Sequence, residues 1–579
     1  SADIEAIATI TNEILQQSRL IRGLITDNEG IPIIGANVIE AGTTNGTVTD
    51  IDGNFTLDVD NDAKIQVSYI GYLSQLINTA GQNNFKIVLL EDTQALEELV
   101  VVGYGVQKKK LTTGAAIQVK GDDLQRMNTT NPLQALQGQT PGVNIVSTSG
   151  QPGSGMKVHI RGLGTVGSSS PLYIIDGIEG DITTLNAADI ESIDILKDAA
   201  SAAIYGAQSA NGVVLVTTKS GERGSTKVTF DGFYGVQNAV RKAQMLNSNQ
   251  YMAIMNEQSL NSGATGFNFS PEAMPGIYTW DTDDAGSMTN PQLINSNWMD
   301  QMFQKNALTQ NYTVGVSGGS DASIYALSLG YLQQEGIIGG KDVSNYERYN
   351  FRINSEHKLY DDFLIVGQHA AFTYTLNNGI NVGNQYNNTL RGAFSTSPLT
   401  PIFSENNKFD SPYNDTTDSD WYNGDGNPYG QMMTNTNNLG KNQNLVADVY
   451  AQIQPIKGLN IKTQLGFNYN SGDYRSYTPL YRFSIYSYNE AHTSVTQNMS
   501  KGHTLTWINT ASYDFNIDNH GFNTLIGMES VQYDGQFIQV GNWDLKSMFN
   551  DWQHAYVDNP ENTNSDGMRL QGRPSEQYR

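Results

Sequence analysis

The chain predicts a mainly β protein in three parts: a small β-sandwich, an α/β unit, and the first part of a large antiparallel transmembrane β-barrel. Three observations lead there. Only 38% of the 579 residues are hydrophobic, and no stretch approaches the roughly 18 consecutive apolar residues that a spanning helix needs. Leu459, Ile461, Leu465, Phe467 and Tyr469 alternate with Asn460, Lys462, Gln464, Asn468 and Asn470, giving one apolar and one polar face, as in a strand between lipid and an aqueous lumen. Strand-like runs from about residue 227 onward are joined by alternately long and short connections, the pattern of a barrel with loops on one rim and tight turns on the other.

The segments follow in order. Residues 1–20, with Ile4, Ile7, Ile14 and Leu15, suit either a short amphipathic helix or a frayed remnant, and no role is assigned to them. Ser1 opens without a basic and apolar leader, so a signal peptide is expected to have been removed. Residues 21–92 alternate over short runs with turn clusters at 27–30 and 50–53, which reads as a β-sandwich. Residues 93–110 form a linker containing LEELVVVGYGVQKKK, a β-branched run between acidic and basic ends. An extended run of this kind offers backbone NH and CO groups to a partner's sheet edge. The plainer reading is a buried first strand of the next unit. Residues 111–222 make the α/β unit, with buried strands at 193–196 and 213–217 around an alanine-rich helix at 198–205. Arg161, Asp189, Glu191 and Asp194 are its candidate ion-pair formers, within the unit or against a wall, and such pairs are costly to break once buried.

Residues 223–579 supply the barrel strands. Tyr325, Leu327, Leu329 and Tyr331 form an outward stripe with aromatic ends, and Leu445, Val449 and Ile453 form another. The long connections are rich in Asn, Asp, Gly, Tyr and Trp; in one of them Asp420, Trp421 and Tyr422 combine a carboxylate with rings that suit stacking on a sugar face, and are candidate substrate contacts.

Several chemistries are set aside. The absence of cysteine removes thiolate catalysis, disulfides and cysteine-ligated metals. A net charge of −24 opposes nucleic acid as a partner. Asp50, Asp52 and Gly53 start like a calcium loop, but the later glycine and glutamate ligands are missing, so a hairpin turn is expected. Gly162, Gly164 and Gly167 are not followed by a helix, as a dinucleotide site requires. Gly315, Ser317 and Gly319 are read as a tight hairpin turn rather than a nucleophile elbow. The seven histidines show no metal-ligand spacing. Neither a cofactor, a metal nor catalysis is expected. Hydrolysis by a carboxylate pair stays an outside possibility, because spacing alone does not show which acids converge.

The blocks NPLQALQGQTPGVNIVSTSG, VHIRG, PLYIIDG and DIESIDILKDAASAAIYGAQSANGVVLVTTKSG, in that order between Asn131 and Gly221, resemble the plug domain of SusC-like TonB-dependent outer-membrane transporters. GLITDNEGIPIIGANVIEAGTTNGTVTDIDGNFTLDV looks like the carboxypeptidase-regulatory-like sandwich of that family, and NYTVGVSGGSDASIYALSLGYLQQEGII with YERYNFRIN looks like its opening barrel hairpins. The resemblance implies active import of a nutrient, most often an oligosaccharide, across the outer membrane of a Gram-negative bacterium, through a multi-pass barrel set in outer-membrane lipid. It further implies that Glu98, Leu99, Val100, Val101, Val102 and Gly103 form a TonB box gripped by a TonB-ExbB-ExbD complex, and that a SusD-like surface lipoprotein closes the outer mouth. The alternatives are oligopeptide import by the same mechanism, or a surface glycan-binding adhesin without transport. Family barrels are expected to have about 22 strands, whereas about nine are legible between Lys227 and Tyr533. The barrel is therefore expected to be completed by a second polypeptide or by residues outside this sequence, with 521–533 paired along its outer edge to another chain.

Overall fold

The computed structural model describes residues 18–28, 30–41, 43, 45–60, 63–69, 72, 74–90, 99–102, 105–108, 116–127, 129–165, 167–360, 363–384, 388–403, 426–484, 486–517, 520–545, 551–557 and 568–578. Glu98, Gly103, Asp420, Trp421 and Tyr422 lie outside these residues. Two compact units divide at Gly114 and Ala115.

The first unit contains strands β1 (Ser18–Thr26), β2 (Asn37–Glu40), β3 (Gly46–Val48), β4 (Asn54–Asp60), β5 (Lys64–Ser68), β6 (Gln75–Asn78) and β7 (Asn84–Val88). They form two sheets, ordered β4-β1-β7 and β3-β2-β5-β6. In β4, Phe55, Leu57 and Val59 turn inward and Asn54, Thr56, Asp58 and Asp60 outward, the alternation that lets a strand cover a core with one face. Ile21 and Ile25 of the neighbouring β1 and Val38, Ile65 and Val67 of the other sheet complete that core. The Asp50 carboxylate is occupied by its own turn, accepting from the Asp52 and Asn54 amides. Farther along, β8 (Leu99–Val102) pairs antiparallel with β9 (Gly105–Lys108) in a separate two-stranded sheet.

The second unit opens with the α/β part. Its strands are β10 (Ala116–Lys120), β11 (Val143–Ser147), β12 (Met156–Ile160), β13 (Leu172–Ile175), β14 (Ile178–Glu179), β15 (Ile190–Leu196) and β16 (Val213–Thr218). Five of them form one sheet, β10-β15-β16-β13-β14, while β11 and β12 make a separate hairpin. The apolar run of β15 is buried along most of its length because it is sandwiched on both faces. Ile190, Ile193, Ile195, Val214 and Val216 form the core with Leu124, Leu133 and Leu136.

A ten-stranded antiparallel sheet follows, here called the wall. It begins at β17 (Gly224–Gln237); the long connection after it carries the helix Ser248–Asn261 and the hairpin of β18 (Tyr278–Thr282) and β19 (Met288–Leu293). The wall continues through β20 (Ala307–Gly319), β21 (Ser323–Glu335), β22 (Asn345–Leu359), β23 (Leu364–Asn378), β24 (Asn438–Ile456) and β25 (Leu459–Thr478). After a small hairpin of β26 (Tyr481–Arg482) and β27 (Tyr488–Asn489), it ends with β28 (Ser494–Ile517), β29 (His520–Trp543) and β30 (Met568–Tyr578). Each wall strand pairs with the wall strand next in sequence, and β17 and β30 are the two edges. No helix among the described residues is long and apolar enough to cross a membrane.

Strands β28 and β29 have 24 residues each, far more than the roughly 9–11 that a bilayer requires, so the wall extends well beyond a hydrocarbon layer. Tyr312, Tyr331, Tyr349 and Tyr374 sit opposite one another across four adjacent strands. Their row continues the aromatic-ended stripe seen in the sequence and suits a membrane interface.

Two expectations change. Gly315, Ser317 and Gly319 lie on β20, and the turn falls at 320–322: the glycines let neighbouring strands approach, as the backbone and side chain of Ile324 against Gly319 show. The wall also has a tenth strand. β29 continues past Tyr533 to Trp543, and β30 covers its outer edge from Gln532 to Asn542. The interspersed Gln536 and Asn542 hide that continuation in the sequence, because they interrupt the face that carries Ile538 and Val540. Within 521–533, β30 reaches only Gln532 and Tyr533, and among the described residues no other strand lies along that edge.

Candidate functional site

The wall holds the α/β unit through a row of donors on one strand. On β22, Arg348, Asn350, Arg352 and Asn354 recur every second residue and therefore face the same side. Arginine nitrogens and the asparagine amide nitrogen only donate, and the α/β unit offers acceptors. The Arg348 Nη1 donates to the Thr183 carbonyl at 2.9 Å and the Asn350 Nδ2 to the Thr184 carbonyl at 2.7 Å. Arg352 Nη1 donates to the Lys219 carbonyl and the Thr218 hydroxyl, and Asn354 Nδ2 reaches the same two atoms. Arg348 and Arg352 are only 2% and 4% exposed.

A second set of contacts comes from β25. Asp176 has a left-handed φ of 48°, held because its carboxylate accepts from both the Thr218 amide and hydroxyl. Its carbonyl accepts from Gln464 Nε2 at 3.1 Å, which also donates to Asp448. Asp448 lies 3.0 Å from His369 Nδ1. Gly466 is required here by close approach, because a Cβ would sit 2.4 Å from Ile178. Asn468 donates to the Glu179 carbonyl, and Asn186 donates to Thr313 on β20. Within the α/β unit, burial pushes the Tyr173 phenol well above its ordinary value, with the Asp181 charge adding to it. Tyr173 therefore stays neutral.

Of the four candidate ion-pair formers, Asp189 meets the wall, with Arg352 Nε 3.5 Å from its carboxylate and both side chains buried. Arg161 is exposed and adopts φ 57°, and it forms no ion pair with the three acids. Glu191 is exposed; Asp194 is buried on β15, where it accepts from Ser192 at 3.4 Å. The partners that sequence reasoning missed are Arg348, Asn350, Arg352 and Asn354. Their signal was present in YERYNFRIN, where four donors recur at the strand period. Leu99, Val100, Val101 and Val102 form β8, with one edge paired to β9 and the opposite edge unpaired among the described residues. Among the described residues no group of three or more His, Cys, Asp or Glu side chains is placed to hold a metal.

Residues 108–213 match the family described as TonB-dependent Receptor Plug Domain, and residues 21–101 match the CarboxypepD_reg-like domain. The chain is 29% identical over 561 residues to the TonB-dependent receptor SusC of Bacteroides thetaiotaomicron, covering 91% of this chain and 52% of that protein. It is 34% identical over 472 residues to the TonB-dependent receptor P39 of Formosa agariphila, covering 79% of this chain and 41% of the relative. The chain spans about half the length of the curated relatives it matches. Among solved structures, the RagAB peptide importer in its open-open state aligns with a TM-score of 0.68 at 25% identity, over 83% of this chain and 53% of that one. The order of sandwich, plug and antiparallel wall, with the relatives that share it, makes the chain a member of the SusC-like TonB-dependent receptors.

Proposed function

We propose that the chain acts in TonB-dependent import of a nutrient oligosaccharide across the outer membrane, as the transporter subunit of a SusCD-type complex. The observation that carries the reading is a plug seated on an inner wall by directional hydrogen bonds to its backbone, preceded in the chain by a strand with one edge unpaired among the described residues. Hydrogen bonds to carbonyls hold the plug at rest, yet break one by one under a pull. In this reading β8, with Glu98 and Gly103 at its ends, is the TonB box, and a strand of the energy transducer adds to that edge. The Asp189–Arg352 pair is the latch released by pulling. Asp420, Trp421 and Tyr422 contribute substrate contacts from an external loop, and a SusD-like lipoprotein docks over the long connections. The chain transports rather than catalyses. Oligopeptide import is the second reading, favoured by the likeness to the RagAB peptide importer.

Changing Val101 to Pro removes a backbone donor from the pairing run and is expected to abolish uptake of the cognate nutrient, while folding and surface binding persist. Normal growth on that nutrient would overturn the TonB-box assignment. Mild detergent extraction is expected to recover a SusD-like lipoprotein with the native protein. Migration alone under several mild conditions would count against the paired lid.

A further inference from the structure

A cavity of about 200 Å³ lies between plug and wall, toward the rim that carries the long connections. Ser149, Gln151 and Ser154, in the connection between β11 and β12, line its plug side, while Gln334, Tyr346 and Arg348 line its wall side. The plug approaches the wall closely here because Gly153 has no side chain: a Cβ would fall 2.2 Å from the Tyr346 ring, and its φ of 68° favours glycine besides.

The lining is polar, and Arg348 is its one charged residue; no aspartate or glutamate lines the cavity. One guanidinium nitrogen is engaged with the Thr183 carbonyl, but Nε, in a side chain 2% exposed, has no hydrogen-bond partner. Gln151 Oε1 is also buried without a donor. A desolvated guanidinium is unfavourable unless an anion or further acceptors meet it, and a lone amide oxygen is unfavourable until a hydroxyl or N–H reaches it. Arg348 and Gln151, a cationic donor and a neutral amide, both line this cavity with room for several waters, and together they match a ligand that carries a negative charge next to a hydroxyl.

We propose that this cavity is an anion-recognising subsite that takes the carboxylate or sulfate of an acidic, hydroxyl-bearing sugar residue in the imported oligomer. The proposal rests on the import reading and narrows its substrate class. A neutral sugar satisfies the hydroxyl and amide positions but leaves Arg348 without its anion, so selectivity resides in that residue.

The test is calorimetric, on the detergent-solubilised protein, with a tetramer of galacturonic acid and the neutral tetramer of galactose as probes. The acidic tetramer is expected to bind at least about tenfold tighter, a gap that one charge-assisted contact supplies and that shrinks with added salt. Arg348→Gln is expected to remove the gap. Gln134→Glu keeps Arg348 and its bond to Thr183, and is expected to remove the gap by placing a carboxylate in the same cavity. A tetrapeptide with a free terminal carboxylate, compared with its amide, forms a second arm: preference for the acid peptide over the acid sugar would overturn the assignment to sugars. Equal binding of both sugar tetramers to the unaltered protein, or a gap that survives both substitutions, would overturn the subsite. If the gap is absent while Val101→Pro still abolishes uptake, the subsite alone falls; if the gap is present while Val101→Pro leaves uptake intact, the import reading falls instead.

Discussion

The N-terminal sandwich and the ten-stranded wall use the same two-residue alternation in opposite senses. In β4 the apolar positions Phe55, Leu57 and Val59 point into a core and the polar positions meet water. In β24 and β25, Val449 and Leu465 are 54% and 50% exposed, while Asp448 and Gln464 are buried against the plug. An apolar face is inside wherever water is outside, and the sense reverses when lipid is outside and a polar domain fills the interior. Burial stabilises the sandwich through the hydrophobic effect. On the inner side of the wall it is the direction of hydrogen bonds, with the Asp189–Arg352 ion pair, that specifies how the plug sits.

The sharpest way to break this comparison is Arg352→Leu. The substitution gives the inner wall the apolar residue a sandwich core would accept, but leaves Asp189 buried without its partner. A loss of about 3–5 kcal/mol in plug seating is expected, the range for breaking a buried pair from one side. Protease cleavage within the plug, followed across a urea series, measures it. Arg352→Leu combined with Asp189→Asn should recover part of the loss; no change in either variant would show that packing alone seats the plug.

A paired substitution sharpens the contrast of senses. Ile65→Ala in the sandwich core is expected to lower stability by about 2–5 kcal/mol, read from denaturant unfolding of that unit. Leu465→Ala, on the outer face of β25, should change detergent stability far less, whereas Leu465→Arg should weaken folding into lipid vesicles by about 2–4 kcal/mol. Equal effects of the two alanine substitutions in detergent would contradict an outward-facing Leu465.

The smallest effect concerns the long connection after β17. There the Lys242 amine donates to Asp300 and holds its carboxyl below the ordinary carboxylate value. A depressed carboxylate contributes stability above its unfolded pKa and loses it as pH falls through the folded pKa. Acidification below the ordinary carboxylate range should thus loosen the short helix Trp298–Met302, seen as faster amide exchange there. Because Asp300 is largely exposed, the change is expected to be slight, and Lys242→Met should abolish it. A large exchange increase already at neutral pH in the unaltered protein would remove the contact from the account.

Alternation, turn chemistry and connection length were legible in the sequence because each depends on residues close together in the chain. They placed the sandwich strands, the central plug strands at 193–196 and 213–217, and nine of the ten wall strands. β30 escaped because Gln536 and Asn542 blur the stripe on β29, the strand that carries it. Asp189 stood out as a buried-pair candidate, but its partner lies more than a hundred residues away on β22, and no local rule joins them. The donor row from Arg348 to Asn354 was written at the strand period, yet its acceptors are backbone carbonyls, which every residue possesses and no sequence distinguishes.

By itself, then, the amino-acid sequence determined the periodicities: which segments are strands, which face of each is apolar, and that a folded α/β unit precedes a wall of membrane-barrel type. Only the tertiary structure decided which polar residues meet. The tenth strand, the glycine contacts at Gly153 and Gly466, and the cavity at Arg348 all arise where distant segments close on one another. The physical reason is range: steric and hydrophobic patterning act between near neighbours in the chain, whereas a hydrogen bond or an unfilled cavity exists only once two surfaces have been brought within a few ångströms.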